Sequence, residues 1–111
     1  MVTVLIALSI LTDVQYPQPM LEGVASYYSI RESGTLTASG EHLNDNLHTC
    51  AMRTGNFGEH YTVVADNGRS VTVKLNDRGP YIKGRVIDLS EAAMRELTDG
   101  GLIRVKIYAK D

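Results

Sequence analysis

The chain has 111 residues, enough for one compact domain with a single hydrophobic core but not for two. Eleven Lys and Arg residues against thirteen Asp and Glu give a formal net charge of -2. This balance disfavours general nucleic-acid binding, because capture of phosphate backbones needs an excess of cations. Hydrophobic residues make up 43% of the chain and charged residues 22%, which is typical of a folded domain and excludes a disordered chain.

The first eleven residues, MVTVLIALSIL, are apolar but reach only about half of the roughly 20 residues that a membrane-spanning helix needs. We therefore expect no transmembrane span. A signal peptide is weakly supported, since no Lys or Arg precedes the stretch. We expect residues 1–11 to pack either on the domain or on a partner protein. The alternative is that they are an uncleaved leader. The Tyr-Pro-Gln-Pro spacer that follows is extended, so residues 1–22 are predicted as segment and spacer and residues 23–111 as the domain.

Short strands dominate the predicted domain. GVASYYSI alternates small and aromatic residues, and YTVVADNGRSVTVKL places two β-branched runs on either side of Asn67-Gly68. Asn-Gly favours a type I′ turn, so this segment predicts a β-hairpin with Val71, Val73 and Leu75 on one face. The only cysteine, Cys50, cannot form an intramolecular disulfide and is predicted to be a small buried apolar residue in a strand.

One helix is predicted, within DLSEAAMRELTDGG. Asp88 or Ser90 is its expected N-cap, with Glu91 closing a capping box on Asp88, and Gly100 or Gly101 is its expected C-terminal stop. The final segment, LIRVKIYAK, alternates like a strand and puts Val105 and Ile107 on one side. Many short strands with a single short helix indicate a small closed β-barrel.

The chain has no P-loop, no GxSxG elbow and no HExxH motif, which leaves carboxylates in loops as the candidates for chemistry. Glu41 follows the turn Thr-Ala-Ser-Gly, and Asp77 lies in Asn-Asp-Arg-Gly-Pro beside Arg78. A carboxyl whose pKa is raised by partial burial can be a general acid, while a second carboxylate, held ionised by an arginine, stabilises positive charge. Such a pair suits glycosidic bond cleavage. The alternative is structural: Asp77 hydrogen-bonds the loop backbone, and Glu41 is a solvated turn residue.

Four segments carry a family resemblance: GVASYYS, TASGEHLNDNLHTCAMRTGNFGEHYTVV, NGRSVTVKLNDRGPYIKGRVIDLSEAAMREL and GLIRVKIYA. From about Gly23 to Lys110 they resemble the RlpA (rare lipoprotein A) family, and NDRGPYIKGRVIDLS is the specific part. The resemblance implies a mainly β fold, a six-stranded double-psi β-barrel with one short helix. It also implies lytic transglycosylase action on peptidoglycan glycan strands, in which the muramic acid 6-hydroxyl replaces water as the nucleophile. No metal or cofactor is implied.

The resemblance also implies roles for residues that match the family positions. Glu41 would be the general acid/base, and Asp77 would orient groups or stabilise developing positive charge. The implied substrate-binding residues are Tyr27, Tyr28, Asn44, Asp45, Arg78 and Tyr81, with the tyrosines stacking on sugar faces or, alternatively, belonging to the core or rim.

Two positions depart from the family pattern. Met52 stands where the family commonly has a histidine, and a thioether cannot carry a proton at neutral pH. Asn44 stands where an acidic residue is expected, with Asp45 displaced by one. Two functions therefore stay open. One is a lytic transglycosylase of the bacterial envelope or periplasm. The other is a peptidoglycan-binding or structural module with weakened catalysis, which includes a phage tail component in a virion.

Overall fold

The computed structural model describes residues 18–29 and 35–110. Within these ranges lie six strands and one helix: β1 (Leu21–Tyr27), β2 (Thr49–Ala51), β3 (His60–Ala65), β4 (Ser70–Asp77), β5 (Arg85–Leu89), α1 (Glu91–Leu97) and β6 (Ile103–Ala109). β1 begins two residues before the predicted start of the domain. The apolar segment, and with it the predicted partner contact through residues 1–11, lies outside the described residues.

The six strands close into a barrel in the order β1-β5-β2-β4-β3-β6. β1 pairs with β5 and β2 with β4 in parallel, and the other neighbouring strands are antiparallel. Closure pairs every barrel strand on both sides, which removes the open edges at which a small sheet would aggregate. The predicted mainly β, six-stranded double-psi barrel with one short helix is confirmed.

The predicted β3–β4 hairpin is confirmed, but its type I′ turn is wrong. A type I′ turn needs positive φ at both central residues. Gly68 has a φ of 89°, whereas no non-glycine residue in the described ranges has a positive φ, Asn67 included. The Gly68 amide donates to Ala65 O at 2.9 Å and the Ala65 amide to Arg69 O at 2.8 Å, so the connection is a three-residue loop with glycine in the left-handed position. Asn67 Nδ2 donates to Leu97 O at 2.8 Å, which ties the loop to α1.

The barrel core is built from the alternating inward side chains of the strands. Val71, Val73 and Leu75 share the buried face of β4 as predicted. Helix α1 adds Ala93, Met94 and Leu97, each fully buried, to the same cluster. Burying a large apolar side chain such as Met94 or Leu97 stabilises a fold by about 1.5–3 kcal/mol, so the helix adds to the stability of the barrel.

Ser90 is the N-cap of α1, and its hydroxyl accepts from the Ala93 amide at 3.3 Å. The predicted capping box on Asp88 is wrong, because Asp88 belongs to β5 and its carboxylate accepts from the Ser26 hydroxyl. Cys50 is fully buried in β2 as predicted, and burial raises the pKa of its thiol to about 12. No helix in the described part of the chain is long and apolar enough to cross a membrane.

Candidate active site

The site begins with a bulge in β4. In the β2–β4 register Cys50 pairs with Leu75 and Ala51 with Asp77, so Asn76 is an extra residue opposite β2. Leu75 and Asn76 are consequently both buried although they are consecutive in a strand. A bulge bends its strand and re-aims the side chains around it. Here it brings Asn76 and Asp77 to the loop that carries Glu41.

Asp77 fastens that loop to the end of β4. Its Oδ1 accepts hydrogen bonds from the backbone amides of Ala38 and Arg78, both at 2.9 Å. The Ser39 amide donates to Asn76 O at 3.1 Å, which adds a second attachment. These bonds are the structural role considered for Asp77 from the sequence. A catalytic role for Asp77 stays a prediction.

The turn that carries Glu41 is also closed on itself. The Thr37 amide and hydroxyl donate to Glu41 O at 2.9 and 3.0 Å, and the Gly40 amide donates to Thr37 O at 3.0 Å. Gly40 has a φ of 89°, a conformation that favours glycine. An isolated antiparallel bridge between Leu36 and His42 flanks the turn. The backbone of Glu41 is therefore well fixed while its side chain remains about half exposed.

The Glu41 carboxylate forms an ion pair with Lys74, with Nζ 2.8 Å from Oε2. This hydrogen bond is the largest influence on the carboxyl and lowers the pKa of Glu41, and the Asn76 side-chain amide adds a smaller contribution in the same direction. In the free protein, Glu41 therefore lacks the raised pKa that is expected of a general acid. Glu41 rests as a carboxylate, the form that acts as a base.

Arg78 binds Asp77 through its backbone amide and not through its guanidinium, contrary to the expectation from the sequence. Its guanidinium donates to Gly55 O at 2.7 Å and to Met52 O at 3.4 Å. It also lies over the ring of Phe57, with its carbon 4.2 Å from the ring centroid. The guanidinium thus ties the loop after β2 to the end of β4, while the backbone amide of Arg78 binds Asp77.

The three candidate tyrosines lie in three environments. Tyr81 is 76% exposed on the loop after Pro80, so its ring is open to a ligand. Tyr27 is half-buried, with Arg95 over its ring at 4.9 Å. Tyr28 is only 6% exposed, its hydroxyl lies 2.7 Å from Thr49 Oγ1, and burial raises its pKa. This placement argues against Tyr28 as a stacking surface.

Asn44 and Asp45 line a cleft of about 500 Å³ between their loop and the first turn of α1. The Ala92 amide donates to Asp45 O at 3.0 Å and holds the loop on the helix. Asp45 Oδ1 is buried without a hydrogen-bond partner among the described residues. The residues lining the cleft include neither Glu41 nor Asp77, so the structure divides the predicted site residues into two groups.

Sequence reasoning missed Lys74 and Asn76, the residues that contact the Glu41 side chain. Alternation along β4 places Lys74 on the face opposite Val73 and Leu75, but the bulge at Asn76 interrupts that alternation, so the sequence held no signal that both residues meet Glu41. The Met52 side chain is 1% exposed and belongs to the core, so at this position only the backbone contacts the site, through Asp77 and Arg78. Residues 18–29 and 35–110 contain no group of three or more His, Cys, Asp or Glu side chains that could hold a metal ion.

Comparison with known proteins supports the sequence resemblance. The model of a family described as "Lytic transglycolase" matches residues 20–107. The endolytic peptidoglycan transglycosylase RlpA of Pasteurella multocida is 42% identical over 95 residues, covering 81% of this chain and 32% of the relative. The probable RlpA of Treponema pallidum is 46% identical over 96 residues, covering 81% and 29%. The chain thus spans about a third of the length of these relatives.

Solved structures with low sequence identity share the fold. The apo expansin of Clavibacter michiganensis aligns with a TM-score of 0.62 at 23% identity, over 81% of this chain and 50% of the expansin. A Streptomyces papain inhibitor aligns with a TM-score of 0.60 at 24% identity, over 84% of this chain and 99% of the inhibitor. Two proteins with such different names illustrate that this barrel does not by itself determine a function.

Proposed function

Because the chain belongs to the lytic transglycolase family, we propose that it is a lytic transglycosylase domain that cleaves peptidoglycan glycan strands, with Glu41 as the general acid/base. The observation that carries the proposal is the Glu41 turn, whose backbone is fixed to β4 through Asp77 while the carboxyl stays accessible. A general acid needs this combination, since it must be placed accurately and still reach the substrate. The names of these relatives refer to peptidoglycan, which supports the bacterial cell envelope as the site of action.

The proposed reaction involves no net uptake or release of protons. Protonated Glu41 gives its proton to the glycosidic oxygen as the bond from that oxygen to the anomeric carbon breaks. The resulting carboxylate then takes the proton of the muramic acid 6-hydroxyl as that oxygen attacks the anomeric carbon. The product is a 1,6-anhydro end, no water is consumed, and Glu41 returns to its acid form. Since Glu41 rests as a carboxylate, it must take up one proton before the first turnover.

The exposure of the candidate side chains indicates which of them could contact the substrate. Tyr81 has an open ring and is the first candidate for stacking on a sugar, with Tyr27 second because Arg95 already lies over it. Asn44 and Asp45 would contact the glycan only if it extends into the cleft beside α1. Arg78 supports the site by holding the neighbouring loop in place.

A glycan-binding module with weakened catalysis is the second candidate. The lowered pKa of Glu41 favours it, because at neutral pH a smaller fraction of the carboxyl carries a proton. The same barrel in a phage tail would be one setting for such a module.

Muropeptide analysis of purified sacculi separates the two candidates. We expect the wild-type protein to release anhydro-muropeptides and Glu41→Gln to lower the rate by about 10²–10⁴-fold, the usual contribution of a general acid. The matched control Glu22→Gln, an exposed acid on β1, should keep wild-type activity. Full activity in Glu41→Gln would exclude Glu41 as the acid. Tight binding to sacculi without any product from the wild type would favour the binding module.

A further inference from the structure

The outer face of β4 lies beneath the Glu41 side chain and carries Lys74. Strand alternation turns Lys74 away from the core residues Val73 and Leu75. Its Nζ lies 2.8 Å from Glu41 Oε2, and the two side chains are 34% and 46% exposed. The two residues are 33 positions apart in the chain, so the closed turn and the strand together create this contact.

Lys74 and Asn76 differ in which form of Glu41 they can bind. An ammonium only donates hydrogen bonds, so Lys74 favours the carboxylate. A side-chain amide both donates and accepts. Asn76 is 3% exposed, and its Oδ1 has no hydrogen-bond partner among the described residues. A rotation of this amide would offer that oxygen to a protonated Glu41, whereas the same protonation weakens the contact with Lys74.

We propose that Lys74 is a positioning residue that holds Glu41 as a carboxylate in the free protein, and that Glu41 takes up its proton from solvent when the ammonium moves away. This inference rests on the proposed function and specifies how its acid is controlled. The position at which family relatives commonly carry a histidine is here the buried Met52, which cannot take part in proton transfer. Within the part of the chain that the structure describes, Lys74 is the ionisable group that forms a hydrogen bond with the acid.

Other titratable residues adjoin this pair through the backbone. His60 on β3 is the register partner of Lys74 on β4. The carbonyls of Glu59 and His48 accept from the amides of Leu75 and Lys74, respectively. His42 follows Glu41 in the chain, and Asp77 binds the turn. The Glu59 carboxylate is occupied by Asn56 and by the Tyr61 hydroxyl. Because several titratable residues lie near the pair, a pH profile of the rate alone does not report on Glu41, and the experiment follows the Glu41 carboxyl itself.

The experiment compares Lys74→Met, Lys74→Arg and the control Lys106→Met, which removes a lysine from the exposed face of β6. Carboxyl NMR titration of Glu41, identified by its loss in Glu41→Gln, is combined with the pH profile of anhydro-muropeptide release. In Lys74→Met the Glu41 titration midpoint should move to higher pH. The rate at pH 7 should rise about two- to five-fold, as expected when an exposed ion pair is removed and the protonated fraction increases.

Lys106→Met should match the wild type in midpoint and rate, and Lys74→Arg, which keeps the positive charge, should hold the Glu41 midpoint below that of Lys74→Met. An unchanged Glu41 midpoint in Lys74→Met would overturn the proposal, and so would a lower rate at pH 7. If the wild-type protein released no anhydro product, the proposed function would fail, but the titration would still decide whether Lys74 sets the protonation of Glu41.

Discussion

Replacing Asp77 should test whether this residue acts mainly as an anchor for the Glu41 turn. Its Oδ1 accepts two backbone hydrogen bonds, from Ala38 and Arg78. Hydrogen bonds to a charged acceptor contribute about 1.5–3 kcal/mol each, and partial exposure places these near the lower limit. Asp77→Ala should therefore destabilise the protein by about 2–3 kcal/mol, which corresponds to a fall in Tm of roughly 10–20 °C for a domain of this size.

Asp77→Asn is the matched variant, because an amide oxygen can accept the same two hydrogen bonds without the charge. We expect it to cost less than about 1 kcal/mol. Urea and thermal unfolding followed by circular dichroism measure both variants, and hydrogen exchange of the Ala38 amide should accelerate in Asp77→Ala. An Asp77→Ala variant within about 0.5 kcal/mol of the wild type would refute the anchoring role. Loss of activity in a stable Asp77→Asn variant would assign an additional role to the charge.

Two further predictions concern the packing of the barrel. Gly55→Ala should destabilise the protein by at least about 2 kcal/mol, because the added Cβ would lie 2.7 Å from Tyr61 Oη and 2.8 Å from Leu75 Cδ2, at a φ of 100°. The control Gly58→Ala has a similar φ of 94° and no neighbouring atom within 4 Å, so thermal unfolding should show a loss of only about 1 kcal/mol. Burial raises the pKa of the Cys50 thiol to about 12, so a thiol reagent at pH 8 should modify the folded protein only as fast as the protein unfolds. The same reagent should modify the urea-unfolded protein at once. Rapid modification of the folded protein would contradict the buried position.

The barrel could be predicted because its strongest signals are local. Alternating apolar residues and an Asn-Gly pair identified the β3–β4 hairpin, and the burial of Val71, Val73 and Leu75 agrees with the predicted face. The turn type could not be predicted, because it depends on contacts outside the hairpin. Asn67 bonds to Leu97 at the end of α1, and that contact exists only once the helix has packed on the barrel.

The site residues were predictable as loop carboxylates but not as a network. The Lys74 contact with Glu41 spans 33 residues and depends on the turn being closed over β4, so no local motif reports it. The tyrosine pair did contain a usable signal. Consecutive residues in an extended strand point to opposite sides, so Tyr27 and Tyr28 could not both face a ligand. The structure places Tyr28 in the core and leaves Tyr27 half-buried.

An accessible acid on a surface turn faces two opposing requirements, since exposure allows contact with substrate but also allows the turn to move. In this barrel two neighbouring carboxylates meet the requirements separately. Asp77 uses a carboxylate oxygen to bind backbone amides and fixes the turn, whereas the Glu41 carboxylate contacts the Lys74 ammonium. The environments of two carboxyl groups determine which roles they can take. The bulge in β4 makes this division of roles possible. Because Asn76 is an extra residue opposite β2, both Asn76 and Asp77 are directed to the end of the strand at which the turn attaches.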